Sequence, residues 1–514
     1  MNYRKSPLQI EKLKTAEWLK STDSDPVYPD ALKVKKHELA EFENLIHGKI
    51  VYPWNKDYNE DRKSFNNVYP ALPIMIVYVV CYEDVRQCLK LAQKHQLLTC
   101  IRSGGHSLAD YSVCDGIVID ISELKSIYVN LSDKTATIEA GCKFEGIFPV
   151  IEQYGLHMPG GGCPTVSVAG YMQGGGFGLT SRNYGMNCDN VVEVTVMLAN
   201  GKIVVANESQ NVDLFWAIRG GTGGNFGILL NIKYQLHELG NIWGTKIVWA
   251  IDSDPENAAQ ALFTIQENYL KDNILPELGI ETVLSTDADG LKKVFFCASW
   301  IGSEDDFDKV LEPLLKIPGA DVVLKKKGRY SAINSAVLDG TPNLPEGIKA
   351  YSKSAYIARD LSQADWKNIL NFFLTSPNQY TMIDMECYGG KINSIEIEQS
   401  AFIHRNVKMD FFCDAFFNKE TNDQKENEEW LQSLFEFMTQ YSNGHSYQNY
   451  PNRNQEDFRW AYWGNYYNQL VQIKNKYDPE NFFRYQQSIG PMEDDRLPDQ
   501  ISLFKPNPIT YENY

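Results

Sequence analysis

The sequence predicts a mixed α and β protein of at least two domains, and three observations predict it. Strand-like and helix-like segments alternate over the first 240 residues, glycine gathers there in four clusters, and from about residue 241 aromatic-rich strand candidates take over with helical blocks between them. The first part reads as α+β or α/β. At roughly 150 residues per domain, a chain of 514 residues accommodates two large domains or three.

Residues 73–80 (PIMIVYVV) read as a buried strand and 83–95 as a helix, because Val85, Cys88, Leu89 and Ala92 recur at helical spacing. Short strands follow at 98–102, 116–120, 127–131 and 135–140. The middle, 241–459, reads as a second domain, with helices at 255–270 and 362–374 and strands at 245–251, 293–300, 380–388 and 408–417. The tail carries a helix at 465–474 and then YDPENFFRYQQSI at 477–489, with Pro479 marking the stop. There is no internal repeat or low-complexity tract.

Composition excludes several classes. Apolar residues at 43% and charged ones at 22% are a globular mix. Forty-nine basic against 66 acidic residues leave a net charge of -17, which repels a phosphate backbone, so nucleic acid is not an expected partner. The longest apolar stretch, 71–82, is broken by Pro73 and falls short of the roughly 20 residues a membrane span needs. The amino terminus has positive charges without an apolar region behind them, which argues against secretion and for the cytoplasm. Ten cysteines without a CxxC pair predict neither a zinc site nor a dense disulfide framework. Two glycosylation sequons, at Asn130 and Asn207, arise easily by chance in a chain this long.

The glycine clusters carry the chemistry. GGGFGLT at 174–180 fails the dinucleotide pattern because Leu179 stands in the place of the third glycine, and no P-loop pattern occurs. A nicotinamide dehydrogenase is thereby excluded. IRSGGHSLAD at 101–110 follows a strand and sets small residues around His106, which suits backbone donors closing on a diphosphate. In MPGGGCPTVSVAGYMQGGGFG at 158–178, Cys163 sits between Gly162 and Pro164 with no helix or strand to bury it, a placement suited to covalent chemistry. DLFWAIRGGTGGNFGI at 213–228 runs an apolar helix into a glycine turn, either a tight core loop or backbone laid against a flat cofactor.

Together these segments and the tail NYYNQLVQIKNKYDPENFFRYQQSI resemble the berberine bridge enzyme-like family of flavin oxidoreductases, within the vanillyl-alcohol oxidase and p-cresol methylhydroxylase fold. The resemblance runs from about residue 60 to the tail. It implies an α+β fold: a two-subdomain FAD-binding domain of the p-cresol methylhydroxylase type over 1–240, an antiparallel-sheet substrate domain covered by helices over 241–459, and a segment over 460–514 that completes the FAD-binding domain. It also implies FAD attached twice, through His106 to the 8α-methyl and Cys163 to C6, which would raise its potential and prevent its loss. By the same match Arg102, Ser103, Gly104, Gly105, His106 and Ser107 hold the pyrophosphate. Gly174, Gly175, Gly176, Gly178, Asp189, Asn190, Gly224 and Ile228 line the adenosine side, and Gly170 belongs to the same cofactor set.

The family's Y-x-N-Y segment matches SYQNYP at 446–451, which makes Tyr450 the base and sets Tyr447 and Asn449 against the flavin. An unperturbed phenol near pKa 10 would have to fall by about 3 to work near neutrality, about 4 kcal/mol of phenolate stabilisation. MECYGGKINSI at 385–395 places Glu386 in the substrate site, where a carboxylate assists the base or binds a substrate hydroxyl. On 407–417, where the family commonly offers Glu or Gln, one face reads Phe411 and Cys413 and the other Asp410, Phe412 and Asp414, so no second acid is assigned. Val166, three residues after Cys163, matches the oxygen-reactive members, where the oxygen-blocked ones carry Leu. The plant members' amino-terminal disulfide is absent, since no cysteine precedes Cys81. The implied activity is oxidation of an alcohol, on a sugar or a secondary metabolite, by proton abstraction and hydride transfer to flavin N5, with O2 reduced to H2O2. Oxidative cyclisation with C–C bond formation, and a flavin-loaded protein that binds a ligand without turnover, are the alternatives.

Overall fold

The computed structural model describes residues 34–271, 275–338, 344–345, 347–418 and 423–490; the amino-terminal segment read for a secretory signal and the outer ends of the first and last expected domains lie outside them. The chain opens on a four-stranded sheet of β1 (Lys49–Val51), β2 (Met75–Tyr78), β3 (Thr99–Arg102) and β4 (Ile117–Asp120), ordered β1-β2-β4-β3. Strands β2, β4 and β3 are parallel and β1 is antiparallel. The helix Tyr82–Lys94 buries Val85, Cys88, Leu89 and Ala92, the residues its spacing selects. Arg102 and Asp120 end their strands in register and form a buried ion pair at 2.5 Å, so the 103–107 loop leaves from a fixed edge.

The second sheet uses β5 (Ile127–Asn130), β6 (Thr135–Glu139), β8 (Val191–Met197), β9 (Ile203–Asn207) and β10 (Ile228–Gln235) in the order β5-β6-β10-β8-β9, while β7 (Leu156–His157) pairs with β11 (His237–Glu238). All these pairings are antiparallel. The helix Val212–Ile218 delivers the glycine turn that precedes β10.

The third sheet has seven antiparallel strands: β12 (Ile242–Ala250), β13 (Leu278–Thr286), β14 (Lys292–Trp300), β15 (Asp321–Gly328), β16 (Lys349–Ile357), β17 (Met382–Cys387) and β18 (Met409–Phe417), ordered β15-β12-β14-β13-β17-β18-β16. One face packs Trp249, Phe296, Phe411 and Cys413 against Leu262, Leu311, Trp366 and Leu434 of the helices Pro255–Tyr269, Glu304–Leu315, Gln363–Phe373 and Gln424–Met438. The other face turns toward the glycine-rich segments. The sequence reading did not anticipate β13, β16 or the helix Gln424–Met438; β13 is buried on both faces, which removes the apolar and polar alternation that marks a half-exposed strand.

The tail returns to the first two sheets. From the helix Tyr467–Tyr477, buried Lys474 donates to Asp478 and to the carbonyls of Asn225 and Phe483, and Ile489 N–H donates to Asn225 Oδ1 at 2.8 Å. The glycine turn is thereby clamped from behind. Among the described residues no helix is long and apolar enough to cross a membrane.

Candidate active site

A cavity of about 810 Å³ lies between the glycine-rich segments and the free face of the third sheet. Its walls include Ser103, Gly104, Gly105, His106 and Ser107 after β3, and Cys163, Val166, Gly170 and Gly178 around the helix Val168–Gln173. Gly224 lines it from the turn before β10, Glu386 from β17, and Tyr447, Asn449 and Tyr450 from the loop after Ser446. Segments more than 300 residues apart in sequence thus meet around one space.

His106 and Cys163 sit on either side of one hydroxyl: Thr165 Oγ1 is 3.0 Å from His106 Nε2 and 3.3 Å from Cys163 Sγ. Burial, and behind it the charge of Lys143, lowers His106 to about 4, so its imidazole is neutral and able to act as a nucleophile. Phe65 stacks on the imidazole at 4.5 Å and fixes the ring plane. These residues fit FAD. Gly105 holds a left-handed φ of 71° in the cavity wall, and at Gly104 a Cβ would stand 2.8 Å from Ser167 N, so this edge must stay bare backbone.

Seven residues expected in the cofactor set lie behind the wall instead. The Arg102 guanidinium turns away to Asp120, Tyr78 and the Asp61 carbonyl. Gly174, Gly175 and Gly176 are bare because side chains press on them: a Cβ would meet Asn449 Oδ1 at 2.0 Å, Phe402 at 2.7 Å and Tyr171 at 2.4 Å respectively. Asp189 is engaged by Arg405 through two hydrogen bonds of 2.8 and 2.6 Å, Asn190 holds the carbonyls of Tyr184 and Met186, and Ile228 is a core residue of β10. They hold the shape of the cofactor segments from outside. Tyr447 spans the two groups, lining the cavity while its hydroxyl accepts from Gly176 N–H at 2.7 Å and Asn449 Nδ2 at 3.0 Å.

At the sheet side the Tyr450 hydroxyl donates to Glu386 Oε1 at 2.5 Å, and Phe412 stacks on the Tyr450 ring at 4.0 Å. Burial and the Glu386 carboxylate push the phenol well above its ordinary range, the opposite of the shift an isolated phenolate base requires. Burial and then Asp410 push Glu386 up as well, which makes its ionised form a stronger base than an ordinary carboxylate. The pair therefore acts as a unit: a proton given to the phenol oxygen releases the phenol's own proton to Glu386.

The register also settles the faces of β18. Phe412 and Asp414 line the cavity, whereas Phe411 and Cys413 pack on the helices. Glu281, Glu386 and Asp410 lie directly opposite one another on β13, β17 and β18, and Asp384 lines the cavity beside them. Sequence reasoning passed over Glu281 and Asp384. A signal was present for Asp384, since D-x-E at 384–386 and D-x-F-x-D at 410–414 set acids at period two in otherwise apolar strands. Of the aromatics on the third sheet, only Phe412 reaches the cavity wall among the described residues.

A second group of ligand-type atoms, His47, Cys81 and Asp84, lies within 4.8 Å of one another away from the cavity. The Asp84 oxygens there are occupied by the N–H groups of His47, Gly48 and Val80.

Comparison with known proteins agrees with this arrangement. Residues 73–207 match the family described as FAD binding domain, and residues 446–490 the family described as Berberine and berberine like. An uncharacterised FAD-linked oxidoreductase of Bacillus subtilis is 29% identical over 454 residues, 87% of this chain and 97% of its own. Tetrahydroberberine oxidase of Berberis wilsoniae is 28% identical over 82% of this chain and 85% of its own. The solved structure of Physcomitrella patens BBE-like 1 superposes with a TM-score of 0.79 at 25% identity, over 87% of this chain and 97% of that one. Fold and cavity thus define an FAD-linked oxidoreductase, with FAD as its cofactor and small molecules as its substrates. Within that class the chain carries the Berberine and berberine like domain and is similar to berberine bridge enzyme-like proteins.

Proposed function

We propose that the chain is an oxidase that carries FAD on both His106 and Cys163 and oxidises an alcohol, on a sugar or a secondary metabolite, with O2 reduced to H2O2. The observation that carries the reading is the Tyr450 to Glu386 hydrogen bond of 2.5 Å in the cavity wall. Residues 1–240 and 460–514 form the FAD-binding part in this reading, and 241–459 the substrate part.

FAD, when bound, supplies the two-electron acceptor and the reactivity toward O2. The chain's own residues do the rest. Neutral His106 and exposed Cys163 face one space on either side of Thr165, as a double attachment needs. Ser103, Gly104, Gly105 and Ser107 would hold the phosphates, and Gly170, Gly178 and Gly224 would let the cofactor lie close to backbone. Tyr450 takes the substrate hydroxyl proton while passing its own to Glu386 Oε1, so charge is never left on a buried phenolate. Tyr447 and Asn449, held by Gly176 and the Tyr171 carbonyl, fix the loop that aims Tyr450. Val166 leaves the cofactor edge open to O2.

The test is acid precipitation followed by mass measurement. Yellow colour should stay with the chain at one FAD per molecule, survive His106→Ala and Cys163→Ala singly, and leave with the double variant. Flavin released from the unmodified protein would overturn the attachment. Anaerobic addition of sugars and phenolic alcohols should bleach the flavin for some member of the set, with peroxide appearing once air is admitted. A flavin that no alcohol bleaches would favour a binding protein instead.

A further inference from the structure

The free face of the third sheet carries five carboxyl groups within three adjacent strands. Glu281 of β13, Glu386 of β17 and Asp410 of β18 form one row across the sheet. Asp384 stands in the next row opposite Phe412, and Asp414 in the one after, opposite Met382. Four of the five, Glu281, Asp384, Glu386 and Asp414, line the cavity. None of the five takes part in an ion pair among the described residues, and the one fixed positive charge in the cavity wall is Arg484, on the C-terminal loop.

Like charges directly opposite on a sheet destabilise it, and burying a carboxylate without a partner costs several kcal/mol. Hydrogen bonding offsets only part of this. Tyr450 serves Glu386 Oε1 and Ser352 serves Asp414, whereas Glu386 Oε2 and Asp384 Oδ1 are buried without a hydrogen-bond partner, and Glu386 as a whole is 6% exposed. Donors for a neutral polyol would have to come from the carboxyls themselves, by staying protonated, whereas a cation lets them ionise. The nearby amides are already committed, Gln448 to the Gly220 carbonyl and Asn449 to the Tyr171 carbonyl.

We infer that the substrate is a hydroxyl-bearing molecule with a protonated amine, and that Asp384 and Asp414 hold that amine while Glu386 serves Tyr450. The inference rests on the sheet side of the cavity being the substrate half. Phe412, directly opposite Asp384 and one row from Asp414, offers a ring face to the carbon skeleton beside the charge. Burial raises the affinity of all five carboxyls for protons, Glu281 and Asp414 to about 7, and repulsion from neighbouring carboxylates adds to it at all but Asp414, which is the state of an acidic wall awaiting a cation.

The experiment is calorimetric titration of the purified holoenzyme with 2-phenylethylammonium and, separately, with 2-phenylethanol, its neutral counterpart of nearly the same shape. The ammonium should bind tighter by about tenfold or more. Asp384→Asn combined with Asp414→Asn should erase that preference while the resting flavin spectrum and melting temperature persist. Equal or tighter binding of the alcohol, no binding of either probe, or a preference unchanged in the double variant would overturn the inference. Should the double variant not fold, the comparison in the unmodified holoenzyme decides by itself. Binding requires no turnover, so failure of the oxidase reading shows in the bleaching experiment and failure of the amine reading shows here.

Discussion

Tyr450 shows how far a single residue can be read from sequence. Its motif selects it among 29 tyrosines, yet the motif carries no information about the pKa, which neighbours decide. The structure raises the phenol instead of lowering it, because the ring is buried and because the carboxylate of Glu386, 64 positions earlier, accepts its hydrogen bond. Tyr450→Phe should slow flavin reduction by about 10²-fold or more. Glu386→Gln should do the same while leaving the flavin spectrum intact, since it removes the acceptor and keeps the shape. Unchanged reduction in stopped flow for either variant would remove that residue from proton transfer. At Val166, which lines the cavity, substitution by Leu should slow reoxidation by O2 and spare reduction; equal slowing of both would sink its role as an oxygen gate.

At the scale of the element, β18 is the informative case. Its composition shows two alternating faces, but only pairing with β16 and β17 decides which one meets the cavity. Phe411 is fully buried against helices and Phe412 borders the cavity. Phe411→Ala should therefore cost about 3–5 kcal/mol in stability. Phe412→Ala should cost much less and act on KM, and the reverse pattern in denaturant melts would mean the register is off by one. The glycine run 174–178 makes a related point. Glycine was legible there as a need for bare backbone, but the partner was not: at Gly178 a Cβ would stand 2.1 Å from the Gly160 carbonyl oxygen, so packing between two loops, as well as a cofactor, demands the residue.

The whole molecule combines buried neutral histidines with buried carboxyls of raised proton affinity, and their pH effects have opposite sign. Burial lowers His106 to about 4 and His157 to about 3, so the unfolded chain binds more protons below the ordinary value of 6.5, and stability rises with pH toward that value. Glu281 and Asp414 are raised to about 7, and Asp384, Glu386 and Asp410 are raised in the same direction. The stability these five contribute is present at acid pH and is lost as pH rises through their folded values. Between about pH 4 and 7 the Glu281 and Asp414 effect opposes the histidine effect, and above about pH 6.5 the histidine gain has ended, so unfolding of the holoenzyme should become easier as pH rises from about 6.5 through the folded values of the carboxyls. Asp414→Asn should flatten the limb between about pH 4 and 7 by up to one proton, about 1.4 kcal/mol per pH unit. A limb of unchanged slope would show that Asp414 does not hold its proton near neutrality.

What the sequence determined by itself was whatever depends on local rules: amphipathic spacing in the helix Tyr82–Lys94, glycine where backbone must stay bare, and motifs short enough to single out His106, Cys163, Glu386 and Tyr450. The tertiary structure alone decided what depends on strand pairing and closure. It set Arg102, Asp189 and Asn190 behind the cavity wall, and it gathered acids from β13, β17 and β18 on one face of it. The physical reason is that a side chain's charge state and direction follow from neighbours brought in by pairing across 100 residues or more, as Glu281 and Glu386 are, and no window of sequence contains both.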